Sequence, residues 1–377
     1  MTRSAGLDPR RTAALVRKEA LQVMRDPSSL AIAFVLPLVL LFLFGYGVSL
    51  DADDVRLAVV VENPTPDTAG FTATLANSPY FQVTELRSRQ EAVPLLDRGA
   101  VRGIVVLGQR FSADYRAGAE APVQVILDGA DANTARLVQG YVQGVWSTWL
   151  TQEALRQGRS LAVPVVAEGH VRYNPQLRSR NFLIPGLIAI IMALIGTLLT
   201  ALVVAREWER GTMESLMATR VGVGEILVGK LLPYFVLGMG GMALSVGLAV
   251  TLFQVPFRGS VAALVLVSAV FLLGALAMGL VISALTRNQF AAGQVAIVAA
   301  FLPAFMLSGF VFEISAMPLP IQALTTVVSA RYFVSSLQTL FLAGTVWRVL
   351  LPDLLAMTAI AAVFLAIAVR STRKRLD

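Results

Sequence analysis

Residue types able to do chemistry are scarce in this sequence of 377 residues. It has no cysteine and one histidine, His170, which excludes thiolate nucleophiles, Cys-based zinc or iron–sulfur sites and any site built on two imidazoles. Nothing near His170 completes a Ser-His-Asp set, so it reads as a polar loop residue. Gly224-Glu225-Ile226-Leu227-Val228-Gly229-Lys230 has the GxxxxGK spacing of a phosphate loop. The next residue, however, is Leu231, where a Ser or Thr would hold magnesium; no strand precedes the motif, and an apolar run follows. No other phosphate loop occurs and no acids cluster, so catalytic residues, bound metals and cofactors are not expected in this chain. Any ATP-driven work would need a second protein.

The stretch most suggestive of function is the mixed-charge run Arg206–Lys230, REWERGTMESLMATRVGVGEILVGK, with four acids and four bases. Gly211 interrupts it, and Thr212 is expected to start a helix with its hydroxyl as the cap. Met213, Leu216 and Met217 then form a small apolar face, with Glu209, Arg210, Glu214 and Arg220 around it. Such a helix suits docking into a groove on another protein. Helices that bind anionic headgroups are strongly basic, and this one is not.

Composition says what must hold that run in place. The chain is 56% hydrophobic and 15% charged, against about 45–50% and about 25% in soluble domains, which places it among membrane proteins. Six stretches reach the roughly 20 apolar residues that cross a bilayer: 30–50, 182–205, 231–253, 261–285, 290–312 and 349–369. The first five carry no acid or base except at their ends, and Asp353 is expected in the first turn of the sixth. The first stretch has a basic leader of 29 residues and no small-x-small cleavage site after it, so it reads as an uncleaved anchor. Small residues such as Gly238, Gly240, Gly241, Gly274 and Gly279 suit close helix contact.

Basic residues orient the spans. Six Lys/Arg lie in 1–29, four in 206–230, and four from 370 onward, whereas the short segments on the other side hold only Arg258, Arg331 and Arg348. Both termini are therefore expected in the cytoplasm. Residues 51–181, with 13 basic and 14 acidic residues, read as an extracytoplasmic domain. The net charge of +7 thus comes from the cytoplasmic face, and nucleic acid is not expected as a partner. The segment 313–348 carries Glu313, two prolines and Arg331 and breaks at Gly344. A seventh span there would put the basic tail outside, so a re-entrant hairpin fits better.

In the domain, Leu57–Val61, Phe81–Leu86, Ile104–Leu107 and Val123–Leu127 read as strands, and Thr68–Ala76 and Gln90–Arg98 as short helices. A long helix from Asp131 carries an apolar stripe with Trp146 and Trp149, expected to pack on the sheet, although the tryptophans could instead meet headgroups or a hydrophobic substrate. Asp128 and Asp131 read as caps. Before the first span, Arg10–Asp26 has Leu15, Val16, Ala20, Leu21 and Met24 at helical spacing among basic residues, as in a helix lying in the membrane surface.

The chain resembles the permease subunits of bacterial ABC-2 type exporters, in the subgroup with a large extracytoplasmic domain after the first span. The likeness covers nearly the whole layout. It is most specific in Arg206-Glu207…Glu209-Arg210-Gly211-Thr212-Met213-Glu214…Leu216…Thr219, followed by Glu225…Gly229-Lys230-Leu231. Weaker matches are Lys18-Glu19…Arg25-Asp26-Pro27, Leu307-Ser308-Gly309-Phe310 and Ala330-Arg331-Tyr332-Phe333. Arg220, Glu313 and Ser329 stand where the family often has proline.

The resemblance implies a polytopic α-helical fold of six spans, an inserted α+β domain and a hairpin containing Gly309, Phe310, Arg331, Tyr332 and Phe333. It also implies that Glu207, Glu209, Arg210, Gly211, Thr212, Met213, Glu214, Leu216 and Met217 couple to an ATPase. Lys18, Glu19, Arg25 and Asp26 would make a secondary cytoplasmic contact. The implied partners are two copies of an ABC ATPase holding ATP and magnesium, a second permease copy or close homologue, the lipid bilayer, and a periplasmic adaptor. The implied function is export of a hydrophobic or amphipathic molecule across the bacterial inner membrane. The absence of mid-membrane charge independently disfavours an ion-driven carrier. The rival expectations are a membrane-anchored sensor or assembly factor whose outer domain binds a ligand, and, less well supported, a membrane enzyme.

Overall fold

The computed structural model describes residues 8–47, 55–117, 123–128, 132–156, 179–219 and 221–371. His170, Asp131 and Arg220 lie outside them. The chain divides into a membrane unit, 1–48 with 171–377, and an inserted unit, 49–170.

Among the described residues of the membrane unit, six helices are long and apolar enough to cross a bilayer: Pro27–Gly47, Ser179–Glu209, Val223–Thr251, Val261–Thr286, Gln289–Leu307 and Trp347–Ser371. The second is the hub and packs against the first, third, fourth and fifth. Its contact with the fourth shows how. The Thr200 hydroxyl donates to the Leu276 carbonyl at 2.8 Å, and a Cβ on Gly279 would run into Thr200 and the Thr197 carbonyl. Gly241 of the third span likewise sits where a Cβ would lie 2.5 Å from the Ala33 carbonyl oxygen of the first. Without a hydrophobic force between helices in lipid, close backbone approach of this kind supplies the packing.

Span ends differ from expectation by up to eight residues: the second runs on to Glu209, the fifth stops at Leu307 rather than 312, and two shifted starts move charged residues inside a helix. The third helix starts at Val223, not near 231, because Glu225 reaches back to accept from the Gly222 N–H at 2.7 Å and stabilises an earlier start. Glu225 and Lys230 are thereby inside it. The sixth starts at Trp347, so Asp353 lies beyond the first turn and instead accepts from the Ser336 hydroxyl at 3.2 Å. Between fifth and sixth spans, Gly309 (φ +84°) ends one helix, short helices Leu319–Thr325 and Ser329–Gln338 follow, and Gly344 (φ +98°) precedes the last span. This segment folds back into the bundle: Val327–Ala330 line a cavity together with Thr197 and Phe271, which lie well inside the second and fourth spans. Phe333 is fully buried and stacks on Phe271 with centroids 4.0 Å apart.

In the inserted unit, β1 (Val55–Val61), β2 (Phe81–Leu86), β3 (Gly103–Leu107) and β4 (Val123–Leu127) form one sheet in the order β2-β1-β3-β4. β1 is parallel to β2 and β3, joined by helical crossovers, and β4 is antiparallel to β3. Both faces of the central strands are buried. Leu57, Val59 and Val105 face the long helix Ala132–Arg156, whereas Ala58, Val60 and Ile104 face Ala92. Trp149 is buried, and both tryptophans pack on Phe71 and Phe111 at 5.3–6.1 Å, so they belong to this core. Asp128 takes Arg102 at 3.3 Å.

Candidate functional site

The mixed-charge run is organised by one glycine. Gly211 has φ +70°, a left-handed conformation that closes the second span; its N–H bonds to the Trp208 carbonyl at 3.1 Å. The helix Thr212–Ala218 starts at once. Gly211, not Thr212, occupies the cap position. The Thr212 hydroxyl donates backward to the Glu207 carbonyl at 3.1 Å, stitching the short helix to the span before it. Ser215 adds a bond to the Gly211 carbonyl at 3.1 Å.

The apolar face expected to meet a partner is partly used within the chain. Met213 is 2% exposed, and Leu216 and Met217 are half-buried. The face left open carries Arg210, Glu214, Ser215, Ala218 and Thr219. Glu209 is exposed too, yet its carboxylate accepts from the Gln289 N–H at 3.3 Å at the start of the fifth span.

Behind this helix lies a buried charge network that joins residues far apart in sequence. Lys230 Nζ pairs with Glu19 Oε1 at 3.1 Å and, at short range, with Glu207. Lys18 pairs with the same Glu19 oxygen at 2.9 Å and with Glu207 at 3.3 Å. Glu19, Lys230 and Glu207 are 1%, 2% and 6% exposed. Two acids face two lysines: Lys230 meets them from inside, and Lys18 reaches them from a half-exposed position, so each buried carboxylate has a counter-charge. Burial alone would lower the Lys18 pKa, but the hydrogen bond to Glu19 and the charge of Glu207 outweigh it and raise it.

The N-terminal helix Pro9–Met24 is therefore laid along the third span rather than only on a membrane surface. The Asp8 N–H donates to Glu225 at 2.8 Å, Leu15 fits over Gly229, and Glu19 meets Lys230. The phosphate-loop spacing is thus a packing motif: its glycine admits a neighbouring helix and its lysine completes an ion network. Leu21 and Met24 stay exposed. A second link closes the end of this helix, where Asp26 pairs with Arg206 at 3.4 Å and accepts from the Ser29 hydroxyl at 2.6 Å. Partial burial would raise the Asp26 pKa, but Ser29 and Arg206 bring it below the usual value. Arg25 is exposed outside the network.

Of the residues singled out in sequence, Lys18, Glu19, Asp26 and Glu207 come together with Arg206 and Lys230. The role of Lys230 was missed. A lysine leading into an apolar span needs a buried counter-charge, and that was the available signal. The hairpin residues form a separate group. Phe310 packs over Gly186, the Tyr332 hydroxyl donates to the Thr326 carbonyl at 2.9 Å, and Arg331 donates to the Thr325 hydroxyl at 2.5 Å.

Six helices able to cross a bilayer, with a short helix between the second and third, make this a multi-pass membrane protein. The ABC-2 family transporter model matches residues 27–370, and the chain belongs to that family. It is 47% identical to Escherichia coli YbhS, named a probable multidrug ABC transporter permease, over 98% of both chains. Identity to E. coli YbhR, with the same description, is 30% over 92% of this chain and 94% of that one. The Bacillus subtilis linearmycin resistance permease protein LnrN is 25% identical over 94% and 96%. The chain is an ABC transporter permease.

Proposed function

We propose that this permease is the membrane half of an ATP-driven exporter for hydrophobic or amphipathic molecules in a bacterial cytoplasmic membrane, with both termini in the cytoplasm. Two ABC ATPase subunits would hold ATP and magnesium, and a second permease copy or close homologue would complete the complex. The names of the relatives support drug-like cargo. The observation that carries the reading is the helix Thr212–Ala218, held by Gly211 and the Thr212–Glu207 bond, with Glu214 and Ser215 open to a partner.

In this reading ATP draws the ATPases together and each pushes on this helix. The push passes through Glu207 into the second span and through Lys230 and Glu19 into the third span and N-terminal helix. Lys18 and Asp26 would act as braces inside the permease more than as direct ATPase contacts. The test is co-expression with its ABC ATPase and purification in detergent. Wild type should bring down stoichiometric ATPase, and Glu214→Arg should lose at least nine-tenths of it with an unchanged permease melting temperature. Retention of the ATPase by Glu214→Arg would overturn the docking role, and no ATPase with wild type would favour a sensor or assembly role.

A further inference from the structure

The sixth span holds one acid, Asp353. It lies six residues in from Trp347, about 9 Å along the axis at 1.5 Å per residue. An ionisable side chain in a span is costly, and it normally pairs with an opposite charge or faces a polar cavity. Asp353 has not taken the first course. Its hydrogen-bond partners among the described residues are the neutral hydroxyls of Ser335 and Ser336, the latter at 3.2 Å. Arg331, whose charge is felt at Asp353, spends its guanidinium on the Thr325 hydroxyl at 2.5 Å.

The second course is open. Asp353 lines a bowl of about 680 Å³ and is half-buried, not sealed from it. The walls come from Phe182 at the start of the second span, residues 313–315 after the fifth, the hairpin helix Ser329–Gln338 and the sixth span. Glu313 stands exposed on the rim, so two carboxylates face one guanidinium and the bowl is acidic. Phe182, Ile314 and Leu342 give it apolar surface beside that charge. No group of three acids or histidines suited to a metal ion occurs among the described residues, so the missing counter-charge is better supplied by an organic cation.

We propose that this bowl binds the ammonium group of an amphiphile, with Asp353 as its counter-charge and Phe182, Ile314 and Leu342 against the adjoining carbon chain. A volume of this size holds a small ligand. An ammonium brings charged N–H donors to a carboxylate otherwise held by neutral hydroxyls, and such charge-assisted bonds are the stronger kind. Assigning the amphiphile to exported cargo rests on the exporter reading. The site itself does not, because the head group of an aminophospholipid carries the same ammonium.

The test photolabels the full-length chain in phosphatidylcholine nanodiscs with a decylamine bearing a diazirine beside its amino group, and with the matching decanol. At neutral pH the amine is charged and the alcohol is not. The amine should mark peptides containing Ile314 and Leu342. Asp353→Asn, which keeps an oxygen for the serines, should cut that labelling about tenfold or more, the loss of a hydrogen bond to a charged group, and leave alcohol labelling unchanged. Glu313→Gln, on the solvated rim, should cut it less than about threefold. Alcohol labelling of exposed Leu355 and Val363 should stay constant in both variants and report an intact fold. Displacement of the probe by plain decylamine, and not by phosphatidylethanolamine added to the discs, would assign the site to cargo; displacement by phosphatidylethanolamine would assign it to lipid. Amine labelling no stronger at Ile314 and Leu342 than the alcohol's, or indifferent to Asp353→Asn, would overturn the proposal. A labelled bowl in a chain that captures no ATPase would sink the exporter reading and leave the site standing.

Discussion

Where the N-terminal helix crosses the third span, buried Glu19, Glu207 and Lys230 meet with half-exposed Lys18 at their edge, whereas under the hairpin the spans meet through rings, alanines and glycines. Buried ion pairs rarely stabilise more than apolar packing would, but removing one partner is severe. The charged junction is therefore suited to holding the N-terminal helix and the second and third spans in one register. The apolar region has no such selectivity.

The comparison breaks most visibly at Lys230. Lys230→Met leaves Glu19 and Glu207 buried with only Lys18 for company, and should cost about 3–5 kcal/mol in denaturant or thermal unfolding of the purified protein. Adding Glu19→Gln and Glu207→Gln should recover most of that loss. If the triple variant is no more stable than the single, the network is not the source. At the apolar region, Phe333→Ala should cost about 3 kcal/mol by leaving a cavity beside Phe271, and no neutral partner change should rescue it. A smaller loss, about 1–3 kcal/mol, is expected for Gly279→Val, whose added carbons press on the second span's backbone. Melting that is unchanged in Gly279→Val would show that these spans are further apart than described.

The smallest effect is in pH. The folded-state pKa of Asp26 is lowered, so its contribution is present above the unfolded value of about 3.9 and is lost as pH falls through the folded one. Lys18 is raised, so its contribution is full below about 10.4 and is lost as pH rises through the folded value. Asp26→Asn should flatten only the acid limb of a melting-temperature profile, and Lys18→Met only the alkaline limb. A profile in which each variant flattens both limbs would mean the two links are not separate.

The periodic and compositional features were legible because they are local. Six apolar runs, the short β-branched runs of the insert and the helical stripe through Trp149 and Leu150 each depend on neighbours a few residues away. The short helix Thr212–Ala218 was legible for the same reason, through Gly211 and the spacing of Met213, Leu216 and Met217. Its outward face was not, because burial of Met213 depends on the tertiary fold. Nor could periodicity pair Glu19 with Lys230, which are 211 residues apart. Spacing alone made that lysine look like part of a nucleotide loop. The same limit hid the cavity: Thr197, Ala300 and Val328 are unremarkable singly and line one cavity only when three segments converge.

The absence of cysteine allows a direct test of how the permease meets its ATPase. Glu214→Cys introduces the chain's only thiol on the open face of the helix Thr212–Ala218, and a short bifunctional reagent can then join it to a thiol engineered into the ATPase. Cross-linking from Glu214→Cys, and not from Arg25→Cys on the N-terminal helix, is the result expected if the short helix docks and the N-terminal helix braces it from behind. Cross-linking from Arg25→Cys with none from Glu214→Cys would contradict the account.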